Sequence, residues 1–175
     1  VALVNRRLDR LARIEPDLPH SFGRSGARPC RRGRRLRPVF WRIDPQPQAI
    51  ADDFHGPLEW AHFENEVRRV FPDRPIVDLE PPHPIFSCFY QIDAYPQIPG
   101  LGSFFRGRTW EKGGFVAKLR AVLDDNGRAM MLINWNTDMG DGWEWSNAEE
   151  YPGYIKYTHD AYRMMINEIV YALTH

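Results

Sequence analysis

The sequence predicts an α/β domain that occupies residues 51–175, and three observations carry this prediction. Two apolar runs flank the turn Asp124-Asp125-Asn126-Gly127, which is typical of a β-hairpin because Asn and Gly tolerate positive φ. Amphipathic segments at residues 58–71 and 155–173 predict helices. Before residue 51, by contrast, the chain is rich in Arg and Pro and has almost no periodic pattern of apolar residues.

The first part of the domain reads as a helix followed by a strand. Pro57 favours a helix start, and Pro72 ends the helix predicted over residues 58–71. Its apolar residues recur at helical spacing: Trp60, Phe63, Val67, Val70 and Phe71. Residues 75–79 predict a short strand. The apolar run 85–92 is compatible with either a strand or a buried helical turn, because periodicity does not separate the two over so short a run.

The second part of the domain is predicted to form a loop, a β-hairpin, a second loop and a helix. Residues 97–114 are rich in Gly and predict a long loop, a kind of segment that is uncommon unless it is functional or mobile. The hairpin strands are predicted over residues 115–123 and 128–134, and a second loop over residues 136–154. Residues 155–173 carry apolar side chains on two faces, which predicts a largely buried final helix.

Charge divides the chain at the same place as the pattern of apolar residues. Residues 1–50 hold twelve Arg and no Lys against four acidic residues, whereas residues 51–175 hold eleven basic and nineteen acidic residues. A basic arm of this kind suggests nucleic-acid binding, but it lacks regularly spaced aromatic residues and any known motif. We therefore expect residues 1–50 to be disordered or an out-of-frame translation of a GC-rich gene, and we expect no nucleic-acid partner.

The sequence gives little support for a transmembrane segment, a signal peptide or a cysteine-based metal site. No apolar run approaches the roughly 20 residues that span a bilayer, so no transmembrane segment is expected. The first residues also hold too short an apolar stretch for a signal peptide. Cys30 and Cys88 have no metal-ligand spacing, and nothing in the sequence supports a disulfide between them.

Polar residues follow two of the predicted strands and form the candidate ligand site. Ligands of open α/β sheets bind outside the carboxyl ends of strands, and oxygen-rich groups with imidazole suit a hard cation or a hydroxylated ligand such as a sugar. The competing interpretation is that aspartates such as Asp52 only cap helices and turns. The sequence leaves the metal question open. The candidate residues are Asp53, His55, His83, Asn136, Asp138 and Asp141.

Five segments together resemble one bacterial family, the domain of unknown function 4159 family, from about residue 51 to residue 175. They are Asp52-Asp53-Phe54-His55-Gly56, His83-Pro84-Ile85-Phe86, the loop 100–111, Asn134-Trp135-Asn136-Thr137-Asp138-Met139-Gly140-Asp141 and residues 167–175. The resemblance implies a three-layer α/β fold, flavodoxin-like and similar to class I glutamine amidotransferases. In relatives a Gly-Gly and a hydrophobic strand precede the Asp pair, whereas here residues 34–48 carry three prolines that exclude a parallel strand. We therefore expect the fold to be truncated at its N-terminal side.

No catalytic residue is assigned. A glutamine amidotransferase needs a Cys nucleophile on a tight turn, and Cys88 lacks the flanking glycines that such a turn requires. The expected function is a non-catalytic ligand-binding or protein-interaction module. The family resemblance links it to the cell envelope, with an exported or membrane-associated location and with partners among envelope proteins of a MoxR and von Willebrand A-type system. The alternatives are a hydrolase acting on a carbohydrate or amide, using Asp53, His55, His83 and Asp138, and a nucleic-acid binder using the basic segment.

Overall fold

The hairpin predicted around Asn126-Gly127 forms the centre of a four-stranded sheet in the computed structural model, which describes residues 49–147 and 149–175. The strands are β1 (Ala49–Phe54), β2 (Ile76–Leu79), β3 (Lys118–Leu123) and β4 (Ala129–Trp135), in the spatial order β1-β4-β3-β2. The Asp124 carboxylate accepts hydrogen bonds from the backbone N–H groups of Asn126 and Arg128 and so fixes the turn. The predicted hairpin is confirmed.

The sheet is mixed. Strands β1 and β4 are parallel, whereas β3 is antiparallel to both β4 and β2. Strands β1, β4 and β2 therefore run in the same direction, and their carboxyl ends meet at one edge of the sheet. This is the edge at which open α/β sheets bind ligands.

The described residues also contain four helices and one 3₁₀ turn. The helices are α1 (Gly56–Val70), α2 (Leu101–Phe105), α3 (Met139–Glu144) and α4 (Ile155–Thr174), and the 3₁₀ turn is Pro84–Phe86. Helices α1 and α4 confirm the two predicted helices. The run 85–92, which the sequence left undecided, begins inside the 3₁₀ turn, and each of the two predicted loops contains one short helix.

Helices cover both faces of the sheet because side chains alternate between the faces along each strand. On one face, Val122 and Ile133 pack with Phe54 against Val67 of α1. On the other face, the core extends from the strands to the long helix α4 and contains Leu119, Ala121, Leu132, Ala161 and Met164. The described residues thus form an α/β domain with an open mixed sheet between two helical layers.

Residues 1–48, and with them Cys30, lie outside the described residues, so the expected disorder or frameshift and the absence of a strand in residues 34–48 stay predictions. For Ala49 and Ile50, which were assigned to the same segment, the prediction is wrong because both lie in β1. Strand β1 begins at Ala49, two residues before the boundary that the sequence indicated. In the described part of the chain, no helix is both long enough and apolar enough to cross a membrane.

Candidate functional site

Two neighbouring strand ends carry residues with an unusual backbone conformation. Asp53 lies at the end of β1 with φ of 60°, and Asn136 follows β4 with φ of 62°. Residues other than Gly are uncommon at positive φ, and residues held in such strained conformations concentrate at functional sites. The strain therefore marks the carboxyl edge of the parallel pair β1 and β4 as a candidate site.

Asn136 holds this edge together. Its Oδ1 accepts a hydrogen bond from the backbone N–H of Gly56 at 2.8 Å, and its Nδ2 donates to the carbonyl of Val116 at 2.7 Å. Its own carbonyl accepts from Gln97 Nε2 at 3.0 Å. Gly114 packs so closely that a Cβ there would lie 2.1 Å from Asn136 Oδ1. Asn136 reaches the predicted site, but protein groups already occupy both polar atoms of its amide.

Three aspartates anchor the short helices at this edge. The two carboxylate oxygens of Asp52 accept hydrogen bonds from the N–H groups of Met139 and Gly140, at 3.2 and 2.8 Å. Asp138 Oδ1 accepts from Asp141 N at 2.8 Å, and Asp141 Oδ2 accepts from Leu101 N at 2.7 Å. Asp52 and Asp138 thus both bind backbone at the start of α3, as the capping interpretation expected.

Carboxylate oxygens of three residues lie around Gly100. A Cβ built on Gly100 would lie 2.9 Å from Glu111 Oε1, 3.0 Å from Asp138 Oδ2 and 3.5 Å from Asp141 Oδ2. The glycine therefore leaves room for three carboxylates to meet. Glu111 was missed by the sequence reasoning, because nothing in a Gly-rich loop indicates which of its residues turns toward the strand ends.

The local environment moves the pKa values of these acids in opposite directions. Burial raises the pKa of Asp138 to about 8, against the hydrogen bond from Asp141 N, and the neighbouring carboxylates add to the rise. Burial also raises the pKa of Asp52 to about 6, despite its hydrogen bonds to the start of α3. In contrast, the adjacent His55 imidazole lowers the pKa of Asp53. Burial thus favours the protonated form of Asp138, whereas His55 favours the ionised form of Asp53.

His55 is buried without a hydrogen-bond partner for its ring. The residue is 1% exposed, and among the described residues neither ring nitrogen makes a hydrogen bond. Nε2 lies 3.7 Å from Asp53 Oδ1, so the ring faces the carboxylate edge. The His55 backbone N–H donates to Glu59, whose other oxygen binds Lys112 Nζ at 2.5 Å. A buried polar group without a partner is costly and calls for an explanation.

His83 lies elsewhere. It follows β2 at the same edge of the sheet, where its Nδ1 accepts a hydrogen bond from Ile85 N at 3.3 Å and so caps the 3₁₀ turn. Its ring packs 5.3 Å from the ring of Tyr171 in α4. The structure thus brings together Asp53, His55, Asn136, Asp138 and Asp141, whereas the contacts of His83 are with the 3₁₀ turn and with α4.

The carboxylate edge opens to solvent at Asp53 and Gly140. Two clefts lie beside Tyr95 instead: one of about 350 Å³ between the end of β2 and the start of β3, and one of about 280 Å³ between residues 91–96 and α4. None of the five converging residues lines either cleft. Among the described residues, no group of three or more His, Cys, Asp or Glu side chains is arranged to hold a metal ion.

One of the comparisons with known proteins identifies a family. No curated protein and no solved structure matches the chain. The model of the family described as "Domain of unknown function (DUF4159)" matches residues 49–173, which include the whole sheet and every residue of the candidate site. The chain therefore belongs to the DUF4159 family of domains of unknown function.

Proposed function

We propose that this domain binds a small polar ligand at the carboxyl edge of β1 and β4, without catalysing a reaction. The observation that carries the proposal is the pair of strained residues, Asp53 and Asn136, at adjacent ends of parallel strands. Strain of this kind persists only where the surrounding structure enforces it. Here Asp53 lies beside the buried ring of His55, whose nitrogens make no hydrogen bond among the described residues.

The chemistry of the edge suits a ligand with several hydroxyl groups. Asp138, with a pKa raised to about 8, can donate a hydrogen bond in its protonated form, whereas Asp53, with a lowered pKa, can accept one. A hydroxyl group both donates and accepts, so it can satisfy either neighbour.

The finer fold and the cellular role belong to the same proposal. A flavodoxin-like, amidotransferase-like arrangement is supported by the parallel pair β1 and β4 and by helices on both sheet faces. The link to the cell envelope, including partners of a MoxR and von Willebrand A-type system, rests on the family resemblance.

A thermal-shift screen tests the binding proposal. We would measure the melting temperature of the protein with a panel of polyols, sugars, amino acids and organic acids. Asp53→Ala and Asp138→Ala should lose the shift that the best compound gives, because each removes the carboxyl group that would bind it. The control is Asp73→Ala, at an exposed aspartate in the turn after α1. If no compound shifts the wild-type protein, or if the three variants behave alike, the proposed site is wrong.

Hydrolysis of a carbohydrate or amide is the second candidate, and the opposed pKa values of Asp138 and Asp53 favour it. A proton donor and an ionised carboxylate at one site are the groups that such reactions need. Nitrophenyl glycosides and amino-acid nitroanilides test it. A hydrolase would show turnover that disappears in Asp138→Asn while the melting temperature stays the same. The nucleic-acid alternative rests on residues outside the described ones, and the net charge of −8 over residues 49–175 offers it no support.

A further inference from the structure

We infer that the outer face of α4 is a self-association surface, on which a second copy of this chain packs its own α4 in antiparallel orientation. The inference goes beyond the proposed ligand site, because none of the residues that carry it belongs to that site. It starts from apolar side chains that α4 leaves exposed on the side away from the sheet.

Helix α4 carries apolar residues on two faces. The inner face packs on the sheet and is buried at Ala161, Met164 and Tyr171. The outer face repeats at alternating steps of four and three residues, which is the spacing of the a and d positions in a coiled coil. Since successive residues of a helix are about 100° apart, this stripe lies roughly opposite the inner face. Six residues form this outer seam: Ile155, His159, Tyr162, Ile166, Ile169 and Leu173.

The outer seam is open to solvent at both ends and in the middle. Ile155, Ile169 and Leu173 are 41%, 42% and 81% exposed among the described residues. Tyr162 stacks on Trp143 of α3, with ring centroids 5.7 Å apart, and is still 41% exposed. Apolar side chains scattered singly over a surface are normal, whereas a continuous stripe of them marks an interaction site.

Charge narrows the choice of partner. Residues 49–175 carry a net charge of −8, which disfavours nucleic acid and anionic membrane surfaces. Residues 164–174 of α4 contain a single charged residue, Glu168, and it is buried on the inner face. In the middle of the helix, Arg163 is held on its own chain, where Nη2 donates to the carbonyl of Gln91 at 2.5 Å. A second copy can therefore approach along this face without bringing acidic side chains together.

Antiparallel pairing makes the outer seam complementary to itself. A two-fold axis at the level of Met164 relates the two halves of the seam, so that His159 faces an isoleucine. In a parallel pair His159 would face its own copy, and the dipoles of the two helices would be aligned unfavourably. The antiparallel pairs are Ile155 with the partner's Leu173, His159 with the partner's Ile169, and Tyr162 with the partner's Ile166.

The size of the contact fits a weak, reversible dimer. The outer seam covers about 27 Å of helix, and packed helices lie about 8–10 Å apart. Phe89, which is 62% exposed, widens the contact on one side, because the N–H of the neighbouring Tyr90 donates to Asn167 Oδ1 of α4 at 2.7 Å. Each copy thus offers on the order of 500 Å², so the pair buries about 1,000 Å², at the lower limit for specific interfaces.

Sedimentation of the full 175-residue chain tests the inference. We expect the weight-average mass to rise from 20.5 kDa toward twice that value as the protein concentration increases. Ile169→Glu should weaken the dimer on the order of tenfold or more, because it buries an unpaired charge in the contact. The control is Leu58→Glu, at a leucine of α1 that is 82% exposed, and it should leave the association within about twofold.

A double variant tests the orientation. His159→Lys combined with Ile169→Glu should restore the dimer, because antiparallel pairing sets each ammonium group against a carboxylate of the other copy. Within one chain the two positions are about 15 Å apart along α4, so they do not pair with each other. A parallel pair would instead bring like charges together and would not recover.

The outcomes decide between the possible occupants of the outer face. A wild-type chain that keeps the mass of a monomer at high concentration would overturn the inference, and so would equal losses in Ile169→Glu and Leu58→Glu. Binding of a monomeric chain to vesicles of phosphatidylcholine and phosphatidylglycerol, lost in Ile169→Glu, would assign the face to a membrane and overturn the dimer. Melting temperatures show whether each variant is folded, and Leu173→Glu near the helix end repeats the test if Ile169→Glu is not.

Discussion

Asn136 is the residue on which the candidate site depends most. Its amide joins the β1–α1 turn at Gly56 to the segment before β3 at Val116, and its backbone adopts a left-handed conformation. We predict that Asn136→Ala lowers the free energy of unfolding by about 2–4 kcal/mol. The variant leaves two backbone groups without partners, at about 1–3 kcal/mol each, and it places Ala at positive φ. Urea unfolding followed by circular dichroism measures the change.

Asn136→Gly separates the two causes. Glycine adopts positive φ without strain but has no side-chain amide. The free energy of unfolding of Asn136→Gly should therefore be about 1 kcal/mol higher than that of Asn136→Ala and still clearly lower than that of the wild type. Equal stability of Asn136→Ala and wild type would show that the two hydrogen bonds contribute nothing.

At the residue scale, the sequence placed most of the site but not its connections. Asp53 and Asp138 could be predicted because polar residues directly after strands lie at the carboxyl edge of a sheet. The engagement of both Asn136 amide atoms could not, since it depends on partners 80 and 20 residues away in the chain. Glu111 was missed for the same reason, because only the folded chain brings it to Gly100.

At the scale of elements, local signals found the long helices and the hairpin and missed the short helices. The Asn-Gly turn and the amphipathic periods are contained within each segment. Helices α2 and α3 have five and six residues, and their first turns are held by carboxylates from other elements. Asp52 of β1 binds the start of α3, and Asp141 of α3 binds the start of α2. Such long-range capping leaves no local pattern in the sequence, although α3 also has a local cap in Asp138.

Arg120 joins helix α1 to the sheet, and replacing it tests how strongly the two elements are held together. Its guanidinium lies between Trp60 of α1 and Trp135 of β4, at 3.9 and 4.2 Å from the ring centroids, and its Nε donates to Asp78 of β2. Arg120→Lys should lower the free energy of unfolding by about 1–2 kcal/mol, because an ammonium group does not stack on two indole rings at once. Urea unfolding followed by tryptophan fluorescence measures it.

The matched control for Arg120 is Arg128→Lys in the exposed hairpin turn, which should change the stability by less than about 0.5 kcal/mol. A loss of equal size in both variants would show that stacking between the two indole rings is not the cause.

At the scale of the whole molecule, buried acids should make the domain less stable as the pH rises. Burial raises the pKa of Asp138 and of Glu168 to about 8, and that of Asp52 to about 6. These groups bind protons more tightly in the folded than in the unfolded chain. Their stabilising contribution is complete at low pH, below their unfolded pKa values, and is lost as the pH rises through the folded values. The lowered pKa of His83 acts in the opposite direction, mainly below about pH 7.

Glu168 allows this prediction to be isolated. Its carboxyl group is fully buried in α4, one oxygen accepts a hydrogen bond from Asn134 Nδ2 at 3.3 Å, and the other has no partner among the described residues. Between about pH 7 and pH 9 the free energy of unfolding of the wild-type protein should therefore fall. Glu168→Gln, which is neutral at every pH, should show a shallower fall and exceed the wild type in stability at the upper end. Glu149→Gln, at an exposed carboxyl group, should follow the wild-type curve. Urea unfolding across this pH range gives the free energy of unfolding as a function of pH. Parallel curves for the wild type and Glu168→Gln would mean that Glu168 is already ionised in the folded protein at pH 7.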